Sequence, residues 1–332
     1  MWEIENKTPF KAEAGFQRTM EGKELWIVVI KACFDIQPAG RLDISENQQE
    51  IFHAPVYNFE PGSSSVKYDS DFVIKKPATD VILNGQAWSE KGRVTRLEAA
   101  MQVGSVNKEL VVTGDRTWRG DILNTKSLIM PFKSMPIVYE RTYGGTDTTH
   151  KNTKKHQSFP ANPVGTGFAL KASGLRGKKV PNIRYKNRRF LKKNSPAGFG
   201  IISRYWEPRI SFGGTYDDKW KKERKPFLPE DYDLKYNQQT PEDQQVKGYI
   251  KGGEPVLLKN LHPDGTLSFN IPGIDVLCKT RLDGAYIKQN PDIYTIIIEP
   301  DENRLIMVWH TALECHKKDH LIEKTIIEYL KR

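Results

Sequence analysis

Carboxylates that lie close to aromatic side chains are the residues of this chain best suited to catalysis. Paired carboxylates beside aromatic rings are what glycoside hydrolysis uses. The carboxylates are Glu140, Glu207, Asp217 and Asp233, and the neighbouring rings are Tyr143, Trp206, Tyr216 and Trp220. Acidic residues in turns commonly bond their own backbone, and spacing in sequence does not set the distance between two carboxylates. A hydrolase acting on a glycan or peptidoglycan is therefore kept as an alternative interpretation.

A second group of reactive side chains consists of His310, Cys315, His316 and His320. Zinc needs three or four converging ligands, but this group lacks a second cysteine, and Lys317 and Lys318 lie beside it. The chain also lacks a Gly-x-Ser-x-Gly elbow, and no Gly-Lys-Ser/Thr sequence follows Gly165 to form a phosphate-binding loop. We therefore expect no catalytic residues, no metal and no cofactor, and we expect that the protein is not an enzyme.

Positive charge is concentrated in one central stretch. The formal net charge is +10, and residues 148–206 contain fourteen lysines and arginines but no Asp or Glu, so the rest of the chain carries −4. The candidate partner-binding residues are Lys178, Lys179, Arg184, Arg188, Arg189, Lys192 and Lys193. Nucleic-acid binding through residues 171–193 is a third interpretation, but no recognition helix, finger or RNA-binding motif accompanies them. An acidic protein partner matches at least as well, and a solvated loop is the simplest explanation.

The hydrophobic pattern predicts the elements that must position these residues. Residues 23–36 are apolar at nearly every position, which predicts a strand covered on both faces. A strand pair is predicted over 105–118, and hairpins are predicted around Asp264-Gly265 and around residues 300–303. Apolar residues at three- and four-residue spacing predict a C-terminal helix over 317–332.

Together these elements predict a mainly β protein with a sandwich-like or barrel-like core, long ordered central loops and a C-terminal helix. Residues 1–332 are expected to form one domain, and residues 144–200 a long basic loop region whose aromatic residues favour order. No window reaches the ~20 apolar residues of a membrane span, no signal peptide is recognisable, and three widely spaced cysteines indicate free thiols. A cytoplasmic protein without membrane contact is therefore expected.

Several different short motifs follow one another in a characteristic order along the chain, at 114–118, 135–145, 162–167, 181–182, 196–200, 206–209, 214–220 and 228–237. Their marked residues are Asp115, Arg116, Trp118, Glu140, Gly144, Gly145, Asn162, Pro163, Gly165, Asn182, Trp206, Arg209, Tyr216, Asp217 and Trp220. This series resembles the domain-of-unknown-function-2169 family, which is found with bacterial type VI secretion systems, and the resemblance covers about residues 23–309. We interpret the residues as a structural motif, in which Arg116 is expected to pair with Glu140 or another carboxylate.

The resemblance implies an adaptor or chaperone. Family members are linked with effectors, PAAR-like tip proteins and the VgrG spike, and no catalytic residues carry over from them. The leading prediction is a non-catalytic adaptor that binds a type VI secretion effector or its PAAR-like tip domain and helps load it onto the spike. The lysines and arginines of 171–193 depart from the family pattern and are predicted to tune the choice of partner.

Overall fold

The computed structural model describes residues 2–119, 125–187 and 195–331, so the candidate residues Arg188, Arg189, Lys192 and Lys193 lie outside the described residues. The described strands are β1 Glu3–Asn6, β2 Lys11–Arg18, β3 Glu24–Ile36, β4 Leu42–Ile44, β5 Val56–Tyr57, β6 Val66–Tyr68, β7 Asp80–Leu83, β8 Gln86–Trp88, β9 Arg96–Val103, β10 Val106–Thr113, β11 Ser134–Pro136, β12 Tyr143–Gly144, β13 Thr146–Asp147, β14 Gln157–Ser158, β15 Thr166–Gly167, β16 Ile183–Tyr185, β17 Pro255–Lys259, β18 Thr266–Asn270, β19 Ile274–Leu282, β20 Ala285–Gln289, β21 Asp292–Glu299, β22 Arg304–Glu314 and β23 Ile322–Lys331. One short α-helix, α1, spans Asp218–Glu223. The described 3₁₀ turns are Pro38–Gly40, Tyr139–Arg141, Thr153–Lys155, Ala172–Leu175, Arg209–Gly213, Leu234–Asn237, Glu242–Gln244, Pro300–Glu302 and Asp319–Leu321.

The central sheet runs in the order β2-β3-β22-β21-β7, and β4 is added on β3. Strand β3 has apolar residues on both sides because both faces of the sheet are covered. Trp26, Val28 and Ile30 point to one hydrophobic cluster, and Ile27 and Val29 point to another. The strand predicted over 23–36, buried on both faces, is confirmed.

Two further sheets cover the first face of the central sheet. One has the order β1-β23-β19-β20, and the other has the order β16-β10-β9-β17-β18. The apolar side chains between these sheets and the central sheet form one hydrophobic cluster. Within it, the indole Nε1 of Trp26 in β3 donates to Thr325 Oγ1 in β23 at 2.9 Å. The described architecture is mainly β and layered, and its sheets are not closed into a barrel, so the barrel-like alternative is wrong.

Loops cover the second face of the central sheet. Ile51, Val66 and Tyr68, from the segment that follows β4, pack there with Ile201. Within the described residues, no helix combines the length and apolar character that crossing a membrane requires.

Both predicted hairpins are present. Val256 in β17 pairs with Phe269 in β18, and Ile297 in β21 pairs with Ile306 in β22. The strand pair predicted within 105–118 is wrong in its pairing. Strand β10 pairs with β9, which precedes it in the chain, and with β16, which follows it.

The predicted C-terminal helix over 317–332 is wrong. Apart from a 3₁₀ turn, that segment forms β23, which pairs with β1 on one side and with β19 on the other. Its apolar residues satisfy a three- and four-residue spacing, but Thr325, Ile326 and Ile327 are β-branched and favour a strand once two partner strands are present.

The strand assignment makes a specific prediction for two neighbouring isoleucines. Ile327 is fully buried, whereas Ile326 is half-buried on the opposite face of β23. We expect Ile327→Ala to lower the free energy of unfolding by about 2–5 kcal/mol and Ile326→Ala to lower it by about 1 kcal/mol or less. Urea denaturation of both variants measures the difference, and a larger loss at Ile326 would support the helical stripe instead.

Candidate protein-interaction site

A polar cluster of Asp115, Arg141 and Asn182 joins three segments of the motif series. Arg141 Nη1 donates to Asp115 Oδ1 at 2.9 Å and to Asn182 Oδ1 at 3.2 Å. The amide of Asn182 donates to the Thr113 carbonyl and to Asp115 Oδ1, both at 2.9 Å. Partial burial would raise the pKa of Asp115, but the bonds from Asn182 and Arg141 outweigh it and hold that pKa below its ordinary value. The cluster fixes the central loops to the end of β10.

Glu140 faces away from this cluster. Its carboxylate accepts from the Ser65 backbone N–H at 2.6 Å and from Ser65 Oγ at 2.8 Å. The pair expected between Arg116 and Glu140 is therefore not formed. Glu140 and Arg141 lie in a 3₁₀ turn, where consecutive side chains project about 120° apart, so one residue binds the loop at Ser65 and the other binds Asp115.

Asn162 holds the turn that contains Gly144, Gly145, Pro163 and Gly165. It is fully buried, and its Nδ2 donates to the Tyr139 carbonyl and to Thr142 Oγ1 at 2.8 Å and to the Tyr143 carbonyl at 3.1 Å. A Cβ on Gly144 would lie 2.1 Å from the Asn162 carbonyl oxygen, and one on Gly145, whose φ is +104°, would lie 2.5 Å from that of Gly165. The turn therefore requires glycine at both positions.

Arg209 and Asp69 connect the later motifs to the loops over the second face of the central sheet. Arg209 Nη1 donates to Asp69 Oδ2 at 2.7 Å, and Arg204 Nη2 donates to Asp69 Oδ1 at 2.6 Å. Burial would raise the pKa of Asp69, but the two arginines outweigh it and lower that pKa below its ordinary value. Trp206 packs nearby, edge-on to Tyr139 at 5.7 Å between ring centroids.

The motif around Tyr216 forms a small surface unit. Asp217 caps α1 by accepting from the Trp220 N–H at 2.8 Å, and the Trp220 indole donates to the Phe227 carbonyl at 2.8 Å. Tyr216 stacks edge-on against Trp220 at 4.7 Å.

Each of the four carboxylates proposed for hydrolysis has a local structural partner. Glu140 binds Ser65 and Asp217 caps α1, while Glu207 accepts from Ser211 Oγ at 2.6 Å and Asp233 accepts from the Lys235 N–H at 2.8 Å. None of the hydrogen bonds described for these groups joins two of the four, so each carboxylate is engaged within its own turn or helix end.

The histidines near the end of the chain also separate. His310 lies inside the protein, stacked on Tyr294 at 4.5 Å, and burial lowers its pKa to about 3. His316 and His320 lie on the surface beside Glu314 and Asp319. In the ranges that the structure describes, no three His, Cys, Asp or Glu residues are grouped to hold a metal ion.

The candidate partner-binding residues in the described part of the chain are Lys178, Lys179 and Arg184, which lie close together in the sequence. Lys179 is exposed, Lys178 and Arg184 are half-buried, and neighbouring segments expose the apolar side chains of Leu128, Met130 and Leu170. We call Arg116, Trp118, Lys178, Leu128, Met130 and Leu170 the basic face. Its combination of positive charge and exposed apolar side chains is suited to a protein partner.

Sequence reasoning missed Arg141, Ser65 and Asp69, which bind the motif residues. Asp69 lies 140 positions from Arg209, and Ser65 lies 75 positions from Glu140. The hydrogen-bonding capacity of these side chains was visible in the sequence, but their partners were not.

Replacement of Asp69 tests the buried ion pair. Asp69→Asn leaves Arg209, which is 4% exposed, without its full counter-charge, so we expect the free energy of unfolding at pH 7 to fall by about 3–5 kcal/mol. Because the folded-state pKa of Asp69 is lowered, its contribution is present above the unfolded pKa of about 3.9 and is lost as the pH falls through the lower folded value. Urea denaturation at pH 7 and below pH 4 should show the two proteins converging in acid. Asp218→Asn, at a fully solvated carboxylate, is the control, and an equal effect of both substitutions would contradict the prediction.

Replacement of Asn162 tests the loop turn. Asn162→Ala removes the donor of three hydrogen bonds in a buried position, so we expect a loss of about 1–3 kcal/mol and faster proteolysis within residues 144–187. Asn107→Ala, at an exposed position on β10, should change stability by less than about 0.5 kcal/mol. Unchanged cleavage in the Asn162 variant would show that the turn does not depend on this side chain.

No curated protein and no solved structure matches the chain at a significant level. One family model, described as an uncharacterized protein conserved in bacteria (DUF2169), matches residues 21–310. Because this match covers most of the chain, the protein belongs to the DUF2169 family.

Proposed function

We propose that the protein is a non-catalytic adaptor that binds a type VI secretion effector, or its PAAR-like tip domain, and helps load it onto the VgrG spike. The observation that carries the proposal is the basic face, where positive charges and exposed apolar side chains lie together on firmly held loops. Such a surface favours an acidic protein partner, because charge complementarity accelerates association and apolar contacts stabilise the complex.

The way in which the loops are held supports this function. Asn162, Asn182 and Asp115 fix the backbone around the basic face through bonds of 2.8–3.1 Å. A surface held in this way loses little conformational entropy on binding, so more of the contact energy is available for affinity. A chaperone that must recognise one folded cargo benefits from such preorganisation.

The engagement of the carboxylates favours an adaptor over the hydrolase alternative. Glu140, Glu207, Asp217 and Asp233 each support a loop or a helix end, and their removal is expected to affect folding before any reaction. Cytoplasmic localisation is part of the proposal, because cargo would be loaded before secretion.

Co-purification with the product of a neighbouring effector or PAAR-like gene tests the proposal. We expect the tagged protein to retain that product at 100 mM NaCl and to release much of it at 500 mM, because screening weakens exposed charge pairs. A chain from an unrelated locus with a similar pI serves as the control bait. In a strain that lacks the protein, the effector should be made but not secreted, while secretion of the tube protein continues. Normal secretion of a stable effector from that strain would contradict the adaptor function.

A further inference from the structure

Three nitrogen atoms on the basic face are buried without a hydrogen-bond partner in the described part of the chain. They are Nε of Arg116, Nε1 of Trp118 and Nζ of Lys178. Buried donors without partners are rare in folded proteins, because a donor removed from water normally gains a replacement acceptor. Because these atoms are covered, an acceptor from outside the chain reaches them only if the half-buried side chains that carry them turn outward.

The backbone places the three side chains next to one another. The Trp118 N–H donates to the Lys178 carbonyl at 3.0 Å, and the Val180 N–H donates to the Arg116 carbonyl at 2.9 Å, while Thr117 bridges Lys179. Because side chains alternate across a strand, Arg116, Trp118 and Lys178 project to the same side of this short ladder. Their half-buried state, beside exposed Thr117 and Lys179, agrees with this alternation.

The acidic residues near this position are hydrogen-bonded to other groups. Among the described residues, neither Arg116 nor Lys178 forms an ion pair. Asp115 is engaged by Arg141 and Asn182. Asp147 lies close enough to Lys178 for the two charges to interact. Its two oxygens accept from Thr149 and from the Leu170 N–H at 2.7–2.9 Å, and no ion pair is formed with Lys178. An anion is the ligand that would best match donors carried by two cationic side chains.

The surroundings favour a carboxylate of a protein over nucleic acid. Lys126 lies over the Trp118 ring at 4.4 Å, so that face of the ring is not available for stacking a base. The Ser127 N–H donates to the Thr117 carbonyl, which places Leu128 beside Arg116, and Leu128 and Met130 are 83% and 63% exposed. Exposed apolar side chains around cations match an acidic segment that also carries apolar residues.

We propose that Arg116, Trp118 and Lys178 form a carboxylate-binding site that receives an Asp or Glu side chain from an acidic, partly apolar segment of the partner. Arg116 and Lys178 would supply charge-assisted donors, and the Trp118 indole a neutral one. This inference rests on the proposed adaptor function, and it names the chemistry of the partner.

Fluorescence anisotropy with a labelled decapeptide of alternating Glu and Leu tests the site. We expect the wild-type protein to bind this peptide at least about tenfold more tightly than a Gln-Leu decapeptide at 100 mM NaCl. The double variant Arg116→Gln, Lys178→Met should lose about tenfold or more in affinity for the acidic peptide. The double variant Lys259→Gln, Lys288→Met changes the net charge equally at two exposed positions and should bind within about twofold of wild type. Melting temperatures confirm that both variants fold.

Three outcomes would overturn the site: no binding of the acidic peptide by the wild-type protein, equal binding by the two double variants, or tighter binding of a dT10 oligonucleotide that depends on the same residues.

Co-purification of the neighbouring effector with each variant separates the two proposals. If the effector is retained equally by wild type and by the Arg116/Lys178 variant, the site is wrong and the adaptor function stands. If the wild-type protein binds the peptide through this site but retains no neighbouring effector, the carboxylate site stands and the adaptor function is wrong.

Discussion

The burial of both faces of the central sheet is the constraint on which the rest of the structure depends. Two sheets cover one face, but loops cover the other, and loops bring backbone N–H and carbonyl groups that need partners once they leave water. A loop can therefore close a hydrophobic face only if side chains satisfy its backbone. The polar residues on this side of the protein meet that requirement.

Two buried charged pairs show how the requirement is met. Lys31, in the middle of β3, is fully buried and donates to Asp71 at 2.9 Å and to the Glu50 carbonyl at 3.1 Å. Asp80, at the start of β7, accepts from Lys76 at 2.7 Å and from backbone N–H groups of the segment that follows the turn at 234–237. Removal of one partner would leave an uncompensated charge in the interior, so each pair fixes the position of its loop.

The presence or absence of a bonding partner within the described chain distinguishes the structural motif residues from the proposed carboxylate-binding site. Asp115, Asn162 and Arg209 have acceptors or donors within the chain, and they hold loops. Arg116 and Lys178 belong to the same group of loops, but neither forms a direct ion pair with a described residue. Buried atoms without a partner also occur at Asn162, Arg204 and His310, so the proposed site is distinguished by having three such donors on one short ladder, two of them on cationic side chains.

The sequence by itself determined the features that depend on neighbouring residues. The continuous apolar run of β3 and the turns at Asp264-Gly265 and at 300–303 were predictable, because hydrophobic periodicity and turn chemistry act over a few residues. Tertiary structure alone decided that residues 322–331 form a strand, because that pattern fits a helix or a strand until β1 and β19 bind on either side. It also decided that Asp115 pairs with Arg141 and that Arg116 forms no ion pair with any residue in the described ranges. These outcomes depend on partners brought together by the fold, and spacing along the chain carries no information about such distances.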